Sequence, residues 1–295
     1  MESKPIPWTR QLFGERCPCA SGKRSYECCW RGNGRWEKSP VGMINVGRSS
    51  FRNGDCYLSP LGGCCKKITR EHFVSRNILE RIATPKLRFE NGGHFFGGKN
   101  LVEIGIDDFC AKVLCDNHNS ALSVLDTAAG QAFSTIETLE RDCKSISASG
   151  PRMSSLHICS GFDMERWMVK VYCGLTAAKK IRSASGKTAQ PAALDRHILE
   201  SLVGTAALRG PLGLYVNRFV GQTLRPGTLS LATIMLTDGS DELGGLMLSL
   251  GVMTFVLVVS NRYGRTFHDP NWHRHQTLAW NVRQGNVRAV YLFTY

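Results

Sequence analysis

Two sets of closely spaced cysteines carry the most specific chemistry in this chain. The first, Cys17-Pro18-Cys19 followed by Cys28-Cys29, sets four thiols within thirteen residues. So short a segment buries no core, but four thiolates on a Zn²⁺ ion fold such a knuckle through the metal–ligand bonds themselves. The turn Ala20-Ser21-Gly22-Lys23 between the halves is tight and polar, as a knuckle requires. Local disulfides are the competing reading. Adjacent and one-apart cysteines are badly placed for each other, and the first thirty residues hold no apolar run of signal-peptide type. The second set is Cys56, Cys64 or Cys65, Cys115 and His118. Cys115-Asp-Asn-His118 has ligand spacing at the expected start of a helix. Pro60, Gly62 and Gly63 let the loop from Cys56 turn back, and spacing does not choose between Cys64 and Cys65. Two structural zinc ions are therefore expected. Cys110, Cys143, Cys159 and Cys173 read as buried thiols.

The segment from Cys17 to Cys29 resembles the SEC-C motif, a small zinc-binding tail or headpiece, with Ala20 where a glycine is usual. A recruitment role toward a protein partner is what that resemblance implies. Farther along stand Thr69-Arg70-Glu71-His72-Phe73, Gly98-Lys99-Asn100-Leu101 and Leu114-Cys115-Asp116-Asn117-His118-Asn119. In this order they resemble the HNH nuclease motif, and the resemblance covers Cys56 to Cys143, about a third of the chain. It implies a ββα-metal, treble-clef-like domain that hydrolyses DNA phosphodiester bonds with Mg²⁺ or Mn²⁺, leaving 5′-phosphate and 3′-hydroxyl ends. The setting it suggests is phage defence or a mobile element. Two departures stand out. Glu71 occupies a position where the family usually has Asp, and the 27 residues between His72 and Asn100 exceed the usual gap, so His94 competes with Asn100.

The physical chemistry of that reaction fits these residue types. A water molecule must lose a proton, and neutral imidazole is poised to take it near pH 7, which makes His72 the base. A cation must hold the anionic phosphate and steady the departing 3′ oxygen. Mg²⁺ takes oxygen ligands and keeps most of its waters, so a carboxylate and an amide oxygen, Glu71 and Asn119, suffice as protein ligands. Asn100 is expected to hydrogen-bond loop backbone and fix the angle of His72.

The net charge of +13, from 37 Lys and Arg against 24 Asp and Glu, favours a polyanionic partner. Arg262, Arg265, Trp272 and Arg274 interleave basic and aromatic side chains as nucleic-acid contacts do. DNA is the expected partner, although nothing in the motif separates it from RNA. A competing reading from another class is a zinc-stabilised module that grips nucleic acid, or a ribosomal or translocation partner, without cutting. Clustered cysteines without a signal point to the cytoplasm, and no segment is long enough to span a membrane. A single site makes one cut per visit, so nicking is expected unless the chain forms a homodimer.

The elements that must position these residues read as an α+β protein: a zinc knuckle at 1–35, a linker at 36–55, an HNH-type domain at 56–150, and a C-terminal domain of helices plus antiparallel sheet at 151–295. A long helix opens at Asp116 or Asn117 and buries Leu122, Leu125, Ala129, Ala132, Phe133, Ile136 and Leu139. Met164, Trp167, Met168, Val171 and Leu175 mark an amphipathic helix, and Leu194, Ile198, Leu199 and Leu202 another. Asp163, Glu165 and Asp195 are read as carboxylates at helix starts. Lys67–Thr69, Leu101–Ile106, Leu214–Val220, Leu229–Leu236, Leu246–Val259 and Val287–Tyr295 read as strands.

Overall fold

The protein was analysed as a computed structural model. It describes residues 23, 24, 27, 28, 41–82, 86–90, 101–144, 154–181, 190–191, 194–209, 211–217, 228–235, 242–250, 253–260, 277–284 and 287–294. Among these the fold is mixed α+β. One compact unit comprises residues 43–127 and 165–274, the other 1–42, 128–164 and 275–295. This division by contact does not follow the chain order of the segments drawn from the sequence.

The unit of 43–127 and 165–274 begins with a two-stranded antiparallel ribbon. Its strands are β1 (Ile68–His72) and β4 (Cys110–Cys115), with Ile68 opposite Cys115 and His72 opposite Cys110. Between them in sequence lie α1 (Arg76–Ile82), β2 (Leu87–Glu90) and β3 (Leu101–Ile104). The ribbon's register shifts between Thr69 and Arg70, which face Leu114 and Lys112, leaving Val113 as the extra residue of a bulge. The Val113 carbonyl then accepts the N–H of Tyr57 at 3.1 Å, which joins the ribbon to the loop that bears Cys56.

Helix α2 (Asp116–Lys144) follows β4 without a loop and starts where the sequence sets it. Leu122, Leu125, Ala129, Ala132 and Phe133 are all buried. Helix α3 (Gly161–Ala177) differs from expectation. Its apolar stripe is buried, but so are Asp163, Glu165, Arg166 and Lys170 on the turns between. These charges are matched inside the protein rather than by water. Glu165 accepts the N–H of Leu214 at 2.9 Å, so it serves a strand start as well as a helix start, and Arg166 donates to the Leu202 carbonyl at 2.9 Å. Helix α4 (Arg196–Val203) is capped by Asp195, whose side chain accepts the N–H of Ile198 at 2.8 Å.

The larger sheet orders β3, β2, β8 (Thr228–Met235), β9 (Glu242–Leu250), β10 (Met253–Val258) and β7 (Gly213–Asn217), with β6 (Gln190–Pro191) joined to β9. The run Leu246–Val259, expected as one strand, falls in two antiparallel strands, β9 and β10, with Leu250 paired to Met253. β10 is buried from Thr254 to Val258, and Leu243, Leu246 and Leu248 of β9 are buried beside it, so both strands carry core residues. The other unit contains a three-stranded sheet of β11 (Thr277–Gln284), β12 (Val287–Thr294) and β5 (Ser154–Ser160), the last pair parallel.

Residues 41–55, read as linker, are tied to the folded unit at particular points although most of them are exposed. Ile44 is buried and its N–H donates to the Val203 carbonyl at 2.8 Å, while the Ser49 carbonyl accepts the N–H of Gly63 at 2.7 Å. A Gly-, Ser- and Asn-rich composition conceals this, because backbone hydrogen bonds do not depend on side-chain type.

Candidate metal centre and the acid–histidine strand

Cys56, Cys64, Cys115 and His118 meet at the junction of ribbon and helix, all four buried, with their ligand atoms within 4.8 Å of one another. Cys115 ends β4 and His118 lies in the first turn of α2, so the two-residue spacer turns both toward one point. The Nδ1 atom of His118 stands 3.2 Å from Cys56 Sγ, 3.3 Å from Cys115 Sγ and 3.7 Å from Cys64 Sγ. Zinc bonds of about 2.3 Å to sulfur and about 2.0 Å to nitrogen, at a tetrahedral angle, set sulfur and nitrogen about 3.5 Å apart. The cluster therefore fits a structural Zn²⁺ with a closed ligand shell. Burial pushes the Cys56 thiol up to about 12, so its thiolate forms against a cation rather than alone. The carbonyls of Val46 and Gly62 lie beside the His118 ring and oppose the lowering of its pKa by burial.

Local geometry settles the choice between Cys64 and Cys65. Gly62 and Gly63 both adopt positive φ, 81° and 75°, and turn the chain back so that Cys64 faces Cys56. A side chain at Gly63 would set its Cβ 1.8 Å from the Val46 carbonyl oxygen, so the strap at 46–49 closes over the metal loop only because this residue is glycine. Cys65 points elsewhere, its Sγ donating to the Lys67 carbonyl at 3.6 Å. It is not one of the ligands.

Glu71 and His72 follow one another in β1 and so project to opposite faces. The structure therefore parts the two residues that the sequence set side by side. Glu71 is 5 % exposed and forms an ion pair with Lys170 of α3, which is itself 3 % exposed. Lys170 also donates to both carboxylate oxygens of Asp126 in α2, at 2.7 and 2.6 Å. Ser75 donates to Asp126 and accepts the indole N–H of Trp167 at 2.7 Å. Burial raises the Glu71 carboxyl to about 7, against the pull of Lys170 and with the help of Asp126. For Lys170 the balance falls the other way. Burial alone would lower it, but the two carboxylates outweigh burial and hold it raised.

His72 lies on the opposite face, half-buried, and its Nε2 has no hydrogen-bond partner. Burial and the nearby Arg76 guanidinium lower its pKa, while Asp107 opposes them. Asp107, in the 3-10 turn Ile106–Asp108, brings Oδ1 to 3.9 Å from His72 Nε2. Asn119, one residue beyond the zinc-type histidine, donates from Nδ2 to Thr69 Oγ1 at 3.0 Å and to the Arg70 carbonyl at 3.3 Å. It thereby pins the first turn of α2 to β1. Sequence reasoning passed over Lys170, Asp126 and Asp107. Only the charged residues within an apolar helix stripe signalled the first of these.

Asn100 and His94 lie outside the described residues, as do Cys17, Cys19 and Cys29 of the knuckle and Arg262, Arg265, Trp272 and Arg274. Cys28 is half-buried. Among the described residues no helix is long and apolar enough to cross a membrane. No family model, no curated protein and no solved structure matches this chain.

Proposed function

We propose that the chain is an HNH-type endonuclease that hydrolyses DNA phosphodiester bonds, with His72 as general base. The observation that carries this reading is the arrangement at one junction. A strand ending in His72 pairs with the strand that leads into α2, and the four-ligand cluster sits where that helix opens on His118 and Asn119. His72 has an unpartnered ring nitrogen and a lowered pKa, so it is neutral near pH 7, the state in which it accepts a proton from water. Asn119 fixes β1 to α2 through Thr69 and Arg70, and its amide oxygen remains an acceptor. Arg70 and Arg76, both exposed, supply positive charge near His72 for a phosphate, in keeping with the chain's net charge of +13. A divalent cation, when bound, supplies charge to hold the phosphate and to steady the departing 3′ oxygen. Glu71 does not fit the role of its carboxylate ligand, because Lys170 already occupies it on the inner face.

That same ion pair favours the second reading, a zinc-stabilised module that grips nucleic acid without cutting, since an acid locked away serves no metal. Plasmid nicking separates the two. Supercoiled DNA incubated with Mg²⁺ or Mn²⁺ should be nicked by the wild type. His72→Ala should keep its zinc, fold and DNA affinity but cut about a hundredfold more slowly or worse. An inert wild type, or a His72→Ala that cuts at the wild-type rate, leaves the binding module as the answer.

A further inference from the structure

We propose that residues 43–55, which carry the strap over the metal loop, form a docking surface for single-stranded DNA, with Phe51 stacking on a base and Arg48 and Arg52 meeting phosphates. The inference takes its polymer from the reading above. Met43, Phe51 and Val124 are the exposed large apolar side chains among the described residues, and two of the three belong to this segment. Phe51 is 42 % exposed and is the aromatic one of the three. A lone exposed apolar side chain on a protein surface is ordinary. This one sits where the backbone is fixed and the neighbouring charges are unmatched.

The Ser49 carbonyl accepts the N–H of Gly63, and Ser49 Oγ accepts the N–H of Phe51 at 3.1 Å. Asn53 Nδ2 donates to the carbonyls of Cys65 and Lys66 at 3.2 and 3.1 Å, and the Asn53 carbonyl accepts the N–H of Cys56 at 3.0 Å. Phe51 thus lies between two anchored residues, so little backbone freedom is left to lose when a base docks on its ring. Arg48, Arg52 and Lys66 are exposed, and none of them forms an ion pair among the described residues. Lys67, by contrast, is matched by Asp116 at 3.4 Å, and Asp55 is the single carboxylate of residues 43–55. Unmatched cations beside an exposed ring suit a polymer that offers a flat base and a phosphate at every step. A duplex keeps its base faces stacked on one another and offers this surface only phosphates, so the ring selects the single strand.

The test follows the fluorescence anisotropy of a labelled oligothymidylate of about twenty nucleotides with the full-length, zinc-loaded protein, beside a duplex and an oligouridylate of the same length. Wild type should bind the oligothymidylate at least as tightly as the oligouridylate. Phe51→Ala should weaken single-strand binding about fivefold or more and duplex binding less than about twofold. Phe51→Tyr should bind as wild type does and Phe51→Leu as Phe51→Ala does, since stacking needs the ring. Arg48→Gln with Arg52→Gln should flatten the slope of log affinity against log salt by about 1.4, about 0.7 for each phosphate contact removed. Zinc content and melting temperature check that each variant is folded; should Phe51→Ala fail that check, the comparison of Phe51→Tyr with Phe51→Leu decides. The proposal is overturned if wild type does not bind the oligothymidylate, if folded Phe51→Ala or Phe51→Leu binds it as wild type does, if the duplex loses as much, or if the salt slope is unchanged. Tighter binding of the oligouridylate also overturns it and makes RNA the occupant. Nicking by the same samples separates the two claims. Single-strand binding through Phe51 by a wild type that never cuts sinks the nuclease reading and keeps the surface. Cutting with single-strand affinity indifferent to Phe51→Ala and Phe51→Leu does the reverse.

Discussion

Replacing Lys170 by Met removes the one ammonium that Glu71 and Asp126 share while keeping most of the side-chain volume. Lys170 and Glu71 are 3 % and 5 % exposed, so water does not replace what is lost. Deleting one partner of a buried ion pair costs about 3–5 kcal/mol, because the remaining charge stays buried without compensation. Whole domains are stable by only about 5–15 kcal/mol, so the variant should stand near the edge of unfolding. The direction of its pH dependence follows from Glu71. This carboxyl is raised from 4.5 to about 7, chiefly by burial, so between those values the folded protein binds a proton that the unfolded chain does not. The stability that this proton contributes is complete below the lower value and is lost as pH rises through the upper one. Without Lys170 to oppose burial, Glu71 rises further and is neutral over a wider range. The deficit of Lys170→Met should therefore shrink by somewhat under about 1 kcal/mol between about pH 7.5 and about pH 5.5, because the wild-type carboxyl already takes up most of its own proton over that range. Urea denaturation of both zinc-loaded proteins at the two pH values, followed by tryptophan fluorescence, measures it. A deficit below about 1 kcal/mol at the higher pH, or one of equal size at both, refutes the reasoning.

Three further outcomes are expected. Metal analysis should find two zinc ions per chain: Cys115→Ser should unfold the ribbon–helix junction, whereas Cys17→Ser with Cys19→Ser should remove one zinc and leave the melting transition of the remainder in place. Gly63→Ala meets both a φ of 75° and the Val46 carbonyl, and should cost upward of about 2 kcal/mol and release zinc more readily to a chelator; Gly62→Ala, 3.2 Å from the Ser49 carbonyl, should be milder. The lowered pKa of His72 keeps the base unprotonated through neutral pH, so the acid limb of kcat/KM for nicking should lie below the ordinary histidine value of 6.5, and a limb above it would contradict the assignment.

Local order decided much of what the sequence made legible. Cys115 and His118 are three residues apart at a helix start, and that spacing alone aims both at one metal. Asp116 opens α2, Asp195 caps α4, and the three- and four-residue apolar rhythms of α2 and α3 name their buried stripes, because helix geometry repeats within a few residues. Other features depend on groups far apart in the chain. Cys64 rather than Cys65 joins the cluster with Cys56, Cys115 and His118 because two glycines at positive φ fit beneath the strap at 46–49. The strand β4, with its bulge at Val113, exists through pairing with β1, and its six residues carry no clear two-residue alternation of their own. Glu71 and His72 look like a pair in sequence, yet a strand turns neighbours to opposite faces. Lys170 then claims one of them for the interior. An ammonium arriving from α3 leaves no mark near Glu71 in the sequence, since charge pairing acts through space and only the fold sets which charges meet.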